Sequence, residues 1–418
     1  MPCRIPDVGP RNGRRLTECR LTEYGALDSP PSMAYIHRKM TARMEHMLRV
    51  GYNGNGYVEK RLLTELPFRS VKLVRKPDIF NALAFVQRTL FGHPKATSLV
   101  GSFHRDWGLT SVSLFHLINR ISLGSTPWVS TFEHYLPRWN YSSNLGWKYL
   151  AAQPCKKLIA ISQWAYRFQE HLLAQHPHLE EAIRPKMCVI TPAQQVLLSQ
   201  YEEKVLNPDR ITFTIVGGDF FRKGGLEILE VFSQLVAEGL PVQLTVVSSL
   251  LFGDYASRST KAHVQRARDL MTQMGTAITY VSDLENRQVL HLLTRTHVAL
   301  LPTYDDTYGF SVLEGQAAGC PAITTDVCAL PEFNDDTVGW MIHVPKDPLN
   351  QPLHKTVEER EQLSCCIREN LSRIVHDICA DPSTVKNKGE RALERIRMDR
   401  SPENRAALLE SIYHQALA

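Results

Sequence analysis

Short runs of apolar and β-branched residues alternate with longer stretches of helical periodicity along most of this chain. Such runs are typical of buried strands, and a regular alternation of strands and helices favours a parallel sheet with helices on both faces. In the first half we predict strands at residues 70–74, 97–103, 127–132, 156–162 and 186–191.

The same pattern restarts after the polar segment Asn207–Arg210, which Pro208 makes unsuitable for a helix. Predicted strands in the second half cover residues 211–218, 241–249, 277–282, 297–303 and 320–326. The chain after residue 355 is predicted to be helical, and its last helix, Pro402–Ala418, could return to the first domain. The sequence therefore predicts an α/β protein with two Rossmann-like, doubly wound domains.

The length of 418 residues agrees with two domains of about 200 residues each. We expect a poorly ordered extension at residues 1–45, which lack steady periodicity and contain Pro30 and Pro31. The first domain is predicted at residues 46–205 and the second at residues 206–418.

Composition excludes several classes of protein. Apolar residues make up 43% and charged residues 22%, as in globular proteins, and no apolar run approaches the roughly 20 residues that cross a bilayer. The basic N-terminus lacks the apolar centre of a secretory signal, so we predict a cytoplasmic protein. The nine cysteines are scattered without a Cys-x-x-Cys pair, which indicates reduced thiols and no zinc site.

Charge is distributed unevenly between the two halves. Residues 1–200 carry 26 lysines and arginines against 13 acidic residues, whereas residues 201–418 carry 22 against 30. The basic first half could face a phosphorylated acceptor or an anionic membrane surface, or the excess could be ordinary solvated surface. No recognition motif supports nucleic-acid binding, so none is expected.

A glycine-bracketed turn follows the first strand of the second half. It contains the glycines Gly217 and Gly218 and the adjacent cations Arg222 and Lys223. Together with the N–H groups at the start of the next helix, such a turn can hold a diphosphate. Taken alone, the turn is better explained as a solvated loop.

The stretch after the predicted strand 297–303 is more specific. Gly309 allows the backbone to approach a ligand, and the helix predicted to begin at Ser311 would offer free N–H groups to phosphate or sugar oxygens. Glu314, one turn into that helix, could bind a pair of ribose hydroxyls. On spacing alone, Ser311-x-x-Glu314 is more simply a capping box, and Asp305 and Asp306 could be turn-forming residues.

This stretch resembles the signature of the retaining glycosyltransferases of family four, which have the GT-B fold. Asp306 occupies the first acidic position of that signature, Tyr308-Gly309 the Phe-Gly pair and Glu314 the second acidic position. The turn Ala318–Pro321 and the segment Thr325–Glu332 match later elements of the family, and the resemblance extends over about residues 158–345.

The resemblance implies that the second domain binds a nucleotide-sugar donor such as a UDP-, GDP- or ADP-sugar. Glu314 would bind the ribose, Asp306 would contact the transferred sugar, and the backbone from Gly309 through Phe310 to Ser311 would touch sugar and phosphate. Lys223, helped by Arg222, would neutralise the diphosphate. Tyr280 and Val281 at a strand end would pack on the base.

Two positions depart from the family pattern. Asp306 stands where the family has a longer glutamate, and Gly218 stands where it commonly has an arginine. The first departure could alter sugar preference, and the two together leave open a catalytically silent protein that only binds a nucleotide sugar. An epimerase or phosphorylase of the same architecture is a further alternative, although the sequence shows neither an extra acid–base pair nor a lysine for pyridoxal phosphate.

In the first domain, the candidate acceptor-binding residues follow predicted strands. They are His104 and the pair Glu133-His134, of which the pair could position the acceptor hydroxyl or receive its proton. The resemblance implies a glycan, polysaccharide or lipid-linked acceptor, retention of anomeric configuration, and no cofactor or metal.

Overall fold

The computed structural model describes residues 47–54, 56–76, 101–105, 111–137 and 146–418, and the single positions 78, 80, 83, 86 and 89. The extension predicted at residues 1–45 and the start of the strand predicted at 97–103 lie outside these residues. The domain boundaries at 46–205 and 206–418 stay predictions.

The first sheet has six parallel strands in the order β2-β1-β4-β6-β7-β8. Two short strands, β3 and β5, come between β2 and β6 in the chain and pair with each other in parallel as a separate two-stranded sheet. The strands are β1 Leu48–Tyr52, β2 Val71–Arg75, β3 Phe103–His104, β4 Leu114–Ile118, β5 Ile121–Ser122, β6 Trp128–Phe132, β7 Cys155–Ala160 and β8 Met187–Val189.

The second sheet repeats this design with six parallel strands in the order β11-β10-β9-β12-β13-β14. Both sheets reverse their strand order beside the first strand of the sheet, and in doubly wound folds ligands bind at that point, outside the carboxyl ends of the strands. The strands are β9 Ile211–Val216, β10 Val242–Val247, β11 Ile278–Val281, β12 Val298–Leu301, β13 Ala322–Thr325 and β14 Gly339–Ile342.

Helices connect these strands and complete the chain. The α-helices among the described residues are α1 Tyr57–Glu59, α2 Trp147–Ala151, α3 Gln163–Leu173, α4 Pro177–Ile183, α5 Gly225–Ala237, α6 Lys261–Met274, α7 Asn286–Leu293, α8 Phe310–Ala317, α9 Val357–Ala380, α10 Ser383–Asp399 and α11 Pro402–Leu417. A π-helix, Lys60–Thr64, continues directly from α1. None of the helices that the structure describes is both long and apolar enough to cross a membrane.

The central strands are buried along their whole length. Every residue of β4, β6, β12 and β13 is buried. Parallel strands covered on both faces read as continuous apolar runs, and this is why the predicted alternation found most of them. The α/β fold with two parallel sheets is thus confirmed.

Four strands, β1, β4, β5 and β14, were not predicted from the sequence. β5 has only two residues, and the other three were missed for identifiable reasons. Gly51 shortens the apolar run of β1, and His116 interrupts that of β4. His116 is fully buried in the sheet, where its Nδ1 lies 2.5 Å from the Tyr413 hydroxyl and its Nε2 lies 2.8 Å from Thr131 Oγ1. The edge strand β14 has only four residues, two of which are half-buried.

The last helix returns to the first sheet, as predicted. Leu409 and Tyr413 of α11 share a core cluster with Val50 and Ile159 of the first sheet. Arg405 of the same helix is buried and donates to the carbonyl oxygens of Ile190, Thr191 and Leu62. Since Leu62 lies in the π-helix, α11 also fixes the segment that follows β1.

Candidate functional site

Three adjoining cavities form a cleft at the carboxyl ends of the two sheets. Their volumes are about 460 Å³ on the side of the second sheet, about 370 Å³ in the centre and about 530 Å³ on the side of the first sheet. We call them the donor, central and acceptor cavities, after the roles that the sequence predicts for the residues that line them. Asp306 lines both the donor and the central cavity, and Glu133 lines both the central and the acceptor cavity.

The glycine-bracketed turn contributes to the donor cavity through Gly217, Gly218 and Lys223. Gly217 has a φ of 150°, and a Cβ there would lie 2.5 Å from Lys223 Cε. The glycine therefore leaves room for the lysine side chain to cross the backbone and reach the cavity.

The start of α5 does not supply the N–H groups that the sequence suggested. The N–H groups of Gly224 and Gly225 donate to the carbonyls of Phe221 and Phe220 within the turn, and neither glycine lines the donor cavity. Gly224 packs instead against the Pro302 carbonyl, from which a Cβ would be 2.1 Å away.

The two predicted cations meet Asp306. Lys223 Nζ lies 2.8 Å and Arg222 Nη1 lies 3.6 Å from Asp306 Oδ2. Arg222 also pairs with Asp219 and donates to the Asp305 carbonyl, and it lines the central rather than the donor cavity. Burial opposes ionisation of Asp306, but the two cations hold its pKa below the usual range for a carboxyl.

The helix after Asp306 begins at Phe310, one residue earlier than predicted, with Gly309 as its N-cap at a φ of 86°. Asp306 Oδ1 accepts hydrogen bonds from the N–H groups of Tyr308 and Gly309, at 3.2 and 2.8 Å. The N–H groups of Phe310 and Ser311, in the first turn, have no acceptor within the helix, and both residues line the donor cavity. The Tyr308 side chain points into the core.

Glu314 is buried and lines the donor cavity, and it does not form a capping box. Its Oε1 accepts from the Tyr57 hydroxyl at 2.7 Å and from Asn286 Nδ2 at 3.0 Å. Ser311 Oγ has no hydrogen-bond partner among the described residues. The simpler interpretation of the spacing is therefore wrong, and the carboxylate is directed to the cavity.

The predicted base-packing residues lie beside the donor cavity. Tyr280 is 42% exposed and, like Val281, does not line it. The next three residues, Ser282, Asp283 and Leu284, do. The difference follows from the position of β11 at the sheet edge, where residue 280 faces solvent and the chain turns toward the cavity only after the strand ends.

Glu133 and His134 lie in the acceptor cavity, as their position after β6 suggested. Burial, opposed by Asn119 and reinforced by the charge of Asp306, raises the pKa of Glu133. Burial lowers the pKa of His134 to about 4, so that its imidazole is neutral at pH 7. The ring packs against Tyr135, Trp164 and Phe168, which fixes its orientation.

His104 is buried outside these three cavities. Its Nδ1 lies 3.3 Å from both Asp78 Oδ2 and Asn53 Nδ2, and its ring packs on Phe115. These contacts are typical of a histidine that holds a loop, and the predicted contact of His104 with an acceptor has no support in this geometry.

Tyr57 and Asn286 were not found from the sequence. The glycines at positions 51, 54 and 56, at the end of β1 and directly after it, were a sequence signal for Tyr57, but strand β1 itself was not predicted. Asn286 opens a short helix and has no distinguishing pattern. In the described part of the chain, no group of three or more His, Cys, Asp or Glu side chains is arranged to hold a metal ion.

Comparison with known proteins identifies a family domain in the second half. The family described as Glycosyl transferases group 1 matches residues 199–370, a range that contains Lys223, Asp306 and Glu314. Residues 199–370 are thus similar to a domain of this family. Comparison with curated proteins gives no match.

Solved structures resemble the whole fold. A glycosyltransferase from Rickettsia africae has a TM-score of 0.54 at 13% identity, over 89% of this chain and 99% of that protein. Sucrose-phosphate synthase from Thermosynechococcus elongatus has a TM-score of 0.53 at 14% identity, and the match covers 88% of this chain and 98% of that protein. HepE of Anabaena, in complex with UDP-glucose, has a TM-score of 0.54 at 10% identity, and the match covers 88% of this chain and 100% of that protein. The protein therefore has the GT-B fold.

Proposed function

We propose that this protein transfers a sugar from a nucleotide-sugar donor to a hydroxyl of a glycan, polysaccharide or lipid-linked acceptor, with retention of anomeric configuration and without a metal. The observation that carries the proposal is the order of groups along the cleft. Glu314, Lys223 and the start of α8 line one cavity, and Asp306 connects it to the cavity of Glu133. HepE, which shares the fold, is known in complex with UDP-glucose.

Each group has a role in the donor complex. The Glu314 carboxylate accepts hydrogen bonds from the ribose, and Lys223 together with the free N–H groups of α8 stabilises the diphosphate. These groups act most strongly on the charge that develops as the diphosphate leaves, because a half-buried cation and fixed N–H dipoles need no reorganisation. Asp306, held between the cations and the helix start, faces the transferred sugar.

The acceptor hydroxyl attacks the anomeric carbon from the side of the leaving group. The bond from that carbon to the diphosphate oxygen breaks, and the hydroxyl proton passes to the departing phosphate oxygen. No protein nucleophile is then required. A neutral His134 with a pKa of about 4 is a weak base, and its position supports a role in holding the acceptor. Glu133, between the two cavities, orients the attacking hydroxyl.

The test is direct. The purified protein is screened with UDP-, GDP- and ADP-sugars by thermal shift, and release of nucleoside diphosphate is followed with and without EDTA. Proton NMR of the transferred or hydrolysed sugar reports its anomeric configuration. We expect stabilisation by one class of donor, turnover that EDTA does not change and a retained anomer. A donor that binds tightly without turnover under any acceptor condition would instead favour a silent binding protein.

A further inference from the structure

Tyr57 belongs to the first half of the chain but lies in the donor cavity. The turn α1 follows the glycine-rich loop after β1, and its three residues distribute over the whole cleft. Tyr57 lines the donor cavity, Val58 lines the central and acceptor cavities, and Glu59 lines the acceptor cavity. A single helical turn therefore touches every part of the proposed site.

The Tyr57 side chain holds Glu314 from the opposite side of the cleft. Its hydroxyl donates to Glu314 Oε1 at 2.7 Å, and its ring stands edge-to-face on Phe310 with centroids 5.8 Å apart. Asn286 Nδ2 donates to the same oxygen at 3.0 Å. Because one carboxylate oxygen offers two lone pairs, these two donors occupy Oε1 and leave Oε2 for a ligand.

The segment that carries Tyr57 is itself anchored. The π-helix Lys60–Thr64 continues from α1, and the Leu62 carbonyl accepts from the buried Arg405 of α11. Arg61 donates to Gln194, and its guanidinium carbon lies 5.8 Å from the centre of the Phe310 ring. Burial and the Glu314 charge raise the pKa of Tyr57, which keeps its hydroxyl protonated as a donor. The position of Tyr57 is thus set by the body of the protein.

We propose that Tyr57 is a positioning residue for nucleotide recognition: by holding Oε1 of Glu314, it directs Oε2 toward the vicinal diol of the ribose. The proposal rests on the proposed function, since it requires a nucleotide in the donor cavity. It assigns to the first half of the chain a part in recognising the nucleoside, so that a nucleotide is bound fully only when the two sides of the cleft meet at Glu314.

The experiment compares nucleotides with and without the diol. Calorimetry measures the affinities of UDP, GDP and ADP and of their 2′,3′-dideoxy counterparts for the full-length wild type and for Tyr57→Phe, which removes only the hydroxyl. We expect the wild type to prefer the ribonucleotide and Tyr57→Phe to reduce that preference by about threefold to tenfold, because a hydrogen bond to a charged group is lost. The affinity for the dideoxy nucleotide should stay unchanged.

Two further variants make the result specific. Asn286→Ala, which removes the second donor to the same oxygen, should lower the diol preference in the same direction. Tyr149→Phe makes the identical chemical change on α2, away from the three cavities, and should leave the preference as it is. The melting temperature of Tyr57→Phe should fall by only a few degrees, because a single hydrogen bond of the folded state is lost.

Each alternative outcome has a distinct meaning. If wild type prefers the ribonucleotide and Tyr57→Phe keeps the full preference, the positioning role is overturned and the proposed function stands. Equal loss of ribo and dideoxy affinity would also overturn it, because Tyr57 would then act on the cavity as a whole. If none of the three nucleotides binds to the wild type, both proposals fail.

Discussion

The Glu332 carboxylate accepts a 2.6 Å hydrogen bond from the backbone N–H of Trp164, at the start of α3 in the other half of the molecule. The N–H of Gln163 donates to the second oxygen at 3.0 Å, and the Ser162 hydroxyl accepts from the next free N–H, that of Ala165. The N-terminus of α3 is therefore capped jointly by its own half and by the second half. A negative charge at this end of a helix also interacts favourably with the helix dipole.

We expect Glu332→Ala to lower the free energy of unfolding by about 2 kcal/mol, because two hydrogen bonds to a charged group are lost at a half-buried helix start. Glu332→Gln keeps one acceptor oxygen and should cost about half as much. Urea unfolding followed by circular dichroism measures both. Glu369→Gln, an exposed glutamate of α9, is the matched control, and a Glu332→Ala protein as stable as this control would contradict the joint cap.

The cap shows what the sequence could and could not provide. The segment Thr325–Glu332 was recognised as an element of the family pattern, but the contact of Glu332 with Trp164 spans 168 residues. Likewise the family resemblance implied a ribose-binding role for Glu314, while its partner Tyr57 lies 257 residues away. The local pattern of apolar residues predicts strands and the residues that follow them. It does not predict contacts across the cleft, because those depend on how the two halves of the chain pack.

His116 shows the same limit inside the core. A histidine in the middle of an apolar run argues against a strand, and it is acceptable there because the Thr131 hydroxyl of β6 and the Tyr413 hydroxyl of the last helix satisfy its two ring nitrogens. The missed strand β4 and the missed role of Tyr57 have a common origin, because each depends on a partner that is distant in sequence, Tyr413 for His116 and Glu314 for Tyr57.

His116 predicts a pH dependence of stability. Burial, with a contribution from the charge of Arg405, lowers its pKa to about 3, whereas an unfolded histidine titrates near 6.5. The unfolded state therefore binds the proton more strongly, and stability is lost as the pH falls from about 6.5 toward 3, by up to about 1.4 kcal/mol per pH unit for this residue. In urea unfolding, the free energy of unfolding of His116→Gln should depend less steeply on pH between pH 6.5 and 4 than that of the wild type, by the contribution of one proton. The exposed His178→Gln is the control, and equal slopes in the two variants would refute this origin.

Gly217 and Gly218 form a natural pair for comparison. An alanine at position 217 would combine a φ of 150° with a Cβ only 2.5 Å from Lys223 Cε, whereas the nearest atom to a Cβ at position 218 is Ser249 Oγ at 3.5 Å. We expect Gly217→Ala to cost about 1–3 kcal/mol of stability and Gly218→Ala less than about 0.5 kcal/mol. Thermal unfolding measures the stability of both variants. If Gly217→Ala is as stable as Gly218→Ala or more stable, the turn tolerates a Cβ at position 217 and this expectation is wrong.

Lys223 should act mainly on turnover. It is the cation of the donor cavity that lies 2.8 Å from Asp306 Oδ2, where it can neutralise a leaving diphosphate. We expect Lys223→Ala to reduce kcat for sugar transfer or donor hydrolysis by about 10²–10³-fold, the effect typical of removing one group that stabilises transition-state charge. Lys261→Ala, on the exposed start of α6, controls for the loss of a positive charge. Near-normal turnover in Lys223→Ala would remove this lysine from the diphosphate site.

Replacement of Glu314 should affect nucleotide binding more than stability, because the capping box that could have given this residue a structural role is not formed. Its replacement removes hydrogen bonds to Tyr57 and Asn286, at a cost of about 1–2 kcal/mol in stability, while a bound ribose loses its charged acceptor altogether. We expect Glu314→Ala to weaken binding of the preferred nucleoside diphosphate by about 100-fold in calorimetry, with Glu314→Gln in between because one acceptor oxygen remains. The affinity for the 2′,3′-dideoxy nucleotide should change far less. If Glu314→Ala unfolds at wild-type denaturant concentration and binds the nucleotide with wild-type affinity, the carboxylate does not face the ribose, and the donor must be recognised by the diphosphate and base alone.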